Sequence, residues 1–340
     1  VQDLTTPRGS RLACLDRYRI FAMVWVFCNH LGSEGRVDIL ERLPSAEAFK
    51  TAVHTDPVLG ALLGNSALGV EVFLVLSGIL IAKGFRRTVK GKRLQTHWAL
   101  YLLRRSIRLW LVMAPFLLIA VGPLLRLLLP RFHGTMLTAC GWKGLQLHLT
   151  FRGNQQDHPT CLGYLWYLGL DFQLHLLVPL VVIVLWKWRS AGLALVVFLV
   201  GRSIYMRGVH CMLFSTCNAS DVDIPFIHIA SLSTEEMERM YRGLWGIYSH
   251  VSTKAGPFLL AVVVGVWEAE GVTITKRYST CLFWGGLTIG VATIYAILPQ
   301  YWWPDMDTNL YNLAYTASFR TIFSLAVLAM IASSALSENP

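Results

Sequence analysis

PVLGALLGNSALGVEVFLVLSGILIA, residues Pro57–Ala82, runs for 26 residues with a single ionisable side chain, Glu71. About 20 apolar residues cross the hydrocarbon of a bilayer as a helix. Lipid-exposed backbone must satisfy its own hydrogen bonds, which a helix does and an open strand does not. The run therefore predicts a transmembrane helix. Seven more runs accompany it: Tyr18–Leu31, Trp98–Leu129, Leu162–Trp186, Ala191–Val209, Ala255–Gly271, Ser279–Leu298 and Asn309–Ala335. The expected fold is an all-α polytopic transmembrane bundle of about eight spans. The third run is too long for one straight crossing, so it should emerge at one end or bend near Pro115. Gly60 and Gly64, four residues apart, suit close helix contact. Composition agrees, with 54% hydrophobic and 15% charged residues, against about 25% charged in a soluble domain, and a mean hydropathy of +0.50.

The net charge of +10 does not point to nucleic acid, because the basic residues sit beside apolar runs rather than along one exposed face. They sort the connections into two sides. Residues 1–19, 83–97, 187–190, 271–278 and the C-terminus carry fourteen Lys or Arg, from Arg8 to Arg277, against Asp3, Asp16 and Glu338. The positive-inside rule assigns that side, and so the N-terminal end, to the cytoplasm. The other side takes most loop acids and the long connection 210–254, expected as a lumenal loop. It also takes the sequon Asn218-Ala219-Ser220, a glycosylation candidate, and four of the seven cysteines. Of the three possible pairings of those four, Cys140–Cys161 with Cys211–Cys217 is favoured because each stays within one loop. Insertion through the secretory pathway follows, into endoplasmic reticulum or plasma membrane. The chain opens on Val1, without a cleavable leader, and stops at Pro340 after an apolar run. It reads as a single membrane domain, residues 1–340, cut from a longer protein at both ends.

Ionisable residues inside spans are costly and mark candidate sites. Here they are His30, Glu71, Arg104, Arg105, Arg108, Arg126, Asp171, His175, Arg202, Glu268 and Arg320. Arg126 and Glu268 lie near span ends, where long side chains reach the headgroups. Arg202 suits an internal ion pair. Arg19 and His30 are eleven residues apart, about 16 Å and close to three whole turns of helix, so they share a face. Arg104 and Arg108 are one turn apart, with Arg105 beside them. Guanidinium forks bind phosphates in bidentate fashion, so this comb suits an anionic, phosphate-bearing ligand entering from the cytosol. The competing reading is a set of ordinary anchor charges. His30 is the candidate general base, since an imidazole takes and returns a proton near neutral pH. Cys28 as a nucleophile is the weaker choice. The remaining histidines lack metal-ligand spacing, and no metal site is expected.

Leu15-Asp16-Arg17-Tyr18-Arg19 with His30 resembles the first-helix signature of membrane acyltransferase family 3. Gly69 to Gly78 is similar to its second-helix motif, with Glu71 where the family usually has Asp, and Tyr101 to Arg108 to its third-helix arginine motif. Cys161 to Leu174, Lys254 to Leu260 and Arg320 resemble the animal nose-resistant-to-fluoxetine branch. That branch carries a lumenal N-terminal domain and a core of about ten spans, so eight fits a truncated segment. The resemblance implies O-acyl transfer. Acyl-CoA, the donor substrate rather than a resident cofactor, would dock its phosphates at Arg19, Arg104, Arg105 and Arg108. His30 would deprotonate a hydroxyl-bearing acceptor. Asp16 would orient Arg19, while Glu71 or Asp171 would orient His30 or neutralise an arginine, with Arg320 in support. The branch is also linked with lipid and drug uptake, so a transporter without acyl transfer is the alternative.

Overall fold

The computed structural model describes residues 10–32, 56–89, 94–156, 161–217, 234–302 and 309–337. The chain forms α1 (Ser10–Gly32), α2 (Pro57–Gly64), α3 (Leu68–Val89), α4 (Leu94–Val121), α5 (Pro123–Leu128) and α6 (Pro130–Leu149). Two single 3-10 turns, Gly153–Gln155 and Gly163–Leu165, lead to α7 (Trp166–Lys187) and α8 (Arg189–Phe214). The remainder is α9 (Thr234–Ser249), α10 (Val251–Glu270), α11 (Lys276–Tyr295), α12 (Leu298–Trp302) and α13 (Asn309–Ala335). Among the described residues, β structure is limited to one bridge between Ile274 and Ser337.

Among the described residues, five segments are long and apolar enough to cross a membrane: Pro57–Phe85, Gly163–Lys187, Arg189–Phe214, Arg242–Glu270 and Asn309–Ala335. They contain five of the eight expected runs. The other three are helical, in α1, α4 and α11, but fall outside that class. In α4, the three arginines dilute the apolar run. Large apolar side chains face outward on α4 (Leu103, Ile107, Leu111), α8 (Val197, Phe198) and α11 (Trp284, Ile289), as a lipid solvent allows.

Several boundaries move. The run Pro57–Ala82 breaks at Asn65–Ala67, where the Asn65 side-chain amide donates to Ile294 O at 2.9 Å. The third run continues through Pro115 and breaks instead at Gly122, just before Pro123 opens α5. A side chain at Gly122 would meet Leu118 O at 1.9 Å. Residues 130–149, expected in a loop, form α6, interrupted at Gly141 with φ 50°. The expected lumenal loop 210–254 is helical at both ends: α8 runs to Phe214, and α9 and the start of α10 occupy the other flank.

α3 and α10 form the central pair. A Cβ on Gly78 would lie 2.5 Å from Phe258 O, and one on Gly265 would lie 2.4 Å from Ile79 O, so the two backbones nearly touch. Gly64, expected in such a contact, has nothing within 4 Å of its Cβ position. Around this pair α7 buries Leu170, Leu174 and Val178 on one side. On the other side α1 and α13 bury Trp25, Phe319 and Phe323. α4 packs on α6 and on the turn that precedes α7 through Leu109, Met113, Cys140 and Leu165.

Candidate functional site

The third-run arginines come together at a groove of about 370 Å³ between α3 and α4, lined by Leu80, Ile81, Gly84, Phe85, Leu100, Tyr101, Arg104, Arg105 and Arg108. Arg104 and Arg108 are exposed, and Arg105 is half-buried. Their spacing follows from the helix: positions four apart stack on one face. Arg105 is already engaged. Its Nε donates to Asp171 Oδ2 at 3.1 Å and its Nη2 to the same oxygen. Asp171 Oδ1 lies 3.5 Å from His175 Nδ1, which also lies 2.6 Å from the Asp171 backbone carbonyl. The His175 ring stacks on Tyr101, with centroids 6.4 Å apart. The comb thus has one neutralised cation and two exposed ones.

Arg19 is not among the groove-lining residues. Its Nη1 donates to Asp16 Oδ1 at 3.1 Å, one turn earlier on α1. It is close enough, with Asp171, Arg105 and Glu71, to act electrostatically on the Tyr167 hydroxyl. His30 sits in the last turn of α1. Its side chain, with that of Cys28, and Asn218 of the sequon lie outside the described residues.

Glu71 and Arg320 meet at the centre. Glu71 Oε1 accepts from Arg320 Nη1 at 2.8 Å and from Lys254 Nζ, and all three residues are fully buried. The Tyr248 ring lies 4.7 Å from Lys254 Nζ and 5.1 Å from Arg320 Cζ. One carboxylate and one aromatic face thus serve two cations and tie α3, α9, α10 and α13 together. Glu71 pairs with Arg320 and Asp171 with Arg105, while the other role expected of them, orienting His30, falls on a side chain outside the described residues. Arg207 makes a second clamp, donating to Ala317 O at 2.8 Å, to Thr253 O at 2.6 Å and to Thr321 Oγ1. Arg126 and Arg202 are exposed, so Arg202 is not the internal strut expected of it. Glu268 pairs with Lys83 rather than reaching headgroups.

Lys254, Arg207, Tyr248 and Tyr101 are missing from the sequence-derived site. Arg207 was visible, as a second guanidinium five residues after Arg202 in the same apolar run. Lys254 begins one residue before the run Ala255–Gly271, so it reads as a flanking charge until α10 is found to start at Val251.

Cys140 and Cys161 are bonded with Cα atoms 4.3 Å apart, as are Cys211, in the last turn of α8, and Cys217 at 4.7 Å. His148 Nε2 donates to Cys161 O at 2.7 Å. Burial holds its pKa below the usual histidine value, against the opposing pull of that carbonyl.

A family model described as an acyltransferase domain, that of acyltransferase family 3, matches residues 12–339. Regulator of hypoxia-inducible factor 1 from Caenorhabditis elegans is 47% identical over 338 residues, which cover 98% of this chain and 66% of that protein. Nose resistant to fluoxetine protein 6 from the same organism is 26% identical over 347 residues, covering 91% of this chain and 39% of that protein. The chain therefore spans less than two thirds of either relative. No solved structure matches. With its arginine comb on a groove, its buried Glu71 and a match over nearly its whole length, the chain belongs to acyltransferase family 3.

Proposed function

We propose that the chain is a membrane O-acyltransferase that takes an acyl group from cytosolic acyl-CoA and passes it to a hydroxyl-bearing acceptor. The observation that carries this reading is the groove between α3 and α4, in which Arg104 and Arg108 stand exposed beside apolar side chains. Exposed guanidinium groups one turn apart, about 6 Å, suit two phosphoryl groups. The groove volume lies at the low end of the roughly 300–1,000 Å³ of small-molecule sites, so it takes part of a CoA and leaves the acyl end to extend along the bundle. Arg19, oriented by Asp16, adds positive charge at the mouth of α1.

In the proposed reaction His30 accepts the acceptor's hydroxyl proton as its oxygen attacks the thioester carbonyl carbon. The C–O bond forms, the tetrahedral intermediate collapses, and the C–S bond breaks. His30 returns the proton to the departing thiolate, giving an ester and free CoA thiol. The N-terminal end of α1 is assigned to the cytoplasm, in endoplasmic reticulum or plasma membrane, with Asn218 as a lumenal glycosylation site. The names of the two relatives describe regulation and a drug response.

The test is transfer from labelled acyl-CoA by purified protein in lipid. His30→Ala should lower the rate by about 100-fold or more, while labelled CoA still binds. Undiminished transfer would refute the role of His30. The fully buried Glu71–Lys254–Arg320 cluster favours a second reading, transport, since charges within spans also mark translocation paths. Movement of a substrate across vesicles without consumption of acyl-CoA would select that reading.

A further inference from the structure

The groove between α3 and α4 has unequal walls. On α4, Leu100, Arg104 and Arg108 recur at intervals of four, so they stack along one face. The wall on α3 is Leu80, Ile81, Gly84 and Phe85, at positions that also share a face. Three of these carry large apolar side chains, and Gly84 carries none. A Cβ placed on Gly84 meets nothing within 4 Å. Helical side chains lean toward the N-terminus, so one at position 84 would lie over the turn of Leu80 and Ile81, inside the groove.

The other glycines of α3 are accounted for by packing. A Cβ on Gly69 would lie 2.6 Å from Val26 Cγ2, and one on Gly78 would lie 2.5 Å from Phe258 O. Glycine inside a helix is less favourable than alanine, and at 69 and 78 the close approach of a neighbour offsets that cost. At 84 no neighbour requires it. What a side chain there would take is groove space, about 370 Å³ in all, already at the low end for a small-molecule site. Gly201 of α8 has an equally open Cβ position but lines no part of this groove.

We propose that Gly84 is the specificity-determining residue of the donor groove. The donor's phosphoryl groups sit at Arg104 and Arg108, and the slender arm that joins them to the thioester passes over Gly84, along Leu80 and Ile81. The groove then selects by size. A compact anion needs only the arginine wall, whereas a donor with a long arm needs the open space that Gly84 leaves. This inference rests on the acyl-CoA reading and adds the residue that admits the arm.

The experiment is direct titration of the full protein in lipid with CoA and, separately, with inorganic pyrophosphate. Gly84→Leu should weaken CoA binding by about tenfold or more, the scale of an overpacked contact, with pyrophosphate binding unchanged. Adding Leu100→Ala reopens the groove from the α4 wall and should recover most of the CoA binding. Gly201→Leu puts the same side chain on an open helix position elsewhere and should bind both probes as the wild type does. Should Gly84→Leu lose both probes, as an unfolded variant would, Gly84→Ala decides. Alanine is the better helix former, and it should weaken CoA about threefold and leave pyrophosphate unchanged. CoA binding unmoved by either substitution sinks this inference alone. A wild type that binds pyrophosphate but not CoA sinks the acyl-CoA reading on which it rests.

Discussion

Asp171 divides its two oxygens between helices: Oδ2 holds Arg105 of α4, and Oδ1 faces His175 on its own α7. It therefore sets the net charge of the groove. Asp171→Asn should leave Arg105 uncompensated, tighten pyrophosphate binding several-fold and steepen its salt dependence. It should also lower stability by about 1–3 kcal/mol, the usual loss when a charged group's hydrogen bonds go. Titration at two ionic strengths checks the first part and thermal melting the second. His148 gives a pH prediction. Its folded pKa lies below the unfolded value of about 6.5, so the unfolded chain takes up the proton first. Stability is then full above about pH 6.5 and declines as pH falls below it. Melting between pH 7.5 and 5.5 should show the decline, and His148→Gln, which keeps a donor for Cys161 O, should flatten it. At this scale the sequence was legible where a helical repeat brought like groups together, as with Arg104 and Arg108. It was silent where partners come from distant helices, as with Tyr101 and His175, because nothing local pairs position 101 with position 175.

The α3–α10 crossing depends on two glycines that face the partner backbone. Gly78→Val and Gly265→Val should each force the helices apart, costing about 3 kcal/mol or more as overpacking, with loss of monodisperse protein in size-exclusion chromatography. Gly64→Ala, with open space at its Cβ position, should elute like the wild type. The same pair is bolted by Glu71 to Lys254 and to Arg320 of α13. Glu71→Gln leaves two buried cations without their carboxylate and should cost about 3–5 kcal/mol. Adding Lys254→Met removes one cation and should recover part of the loss in a detergent melting assay. A double variant no better than the single would contradict the clamp. Helices with long apolar runs were legible, and α13 coincides with its expected span. α6 and α9 were not, since α6 carries polar residues and a Gly141 break, and α9 opens on Glu235, Glu236 and Glu238.

For the whole molecule, the class of fold followed from one physical fact, that apolar sequence in blocks of about 20 residues suits lipid better than a water-soluble core. Of the eight expected spans, five meet the test of length and apolarity among the described residues, and α1, α4 and α11 do not because they give up part of their apolar surface to charge or small residues. In α1 and α4 those charges are Asp16, Arg19 and the arginine comb, so the helices that read least well as spans are the ones that carry the candidate site. The central claim is that the arginine groove receives the donor. The most direct measurement is a structure of the full protein in lipid, saturated with a non-hydrolysable acyl-CoA analogue. The account predicts phosphate density against Arg104 and Arg108 between α3 and α4, with the acyl end directed toward His30. Density for the analogue elsewhere, with that groove empty, would contradict it.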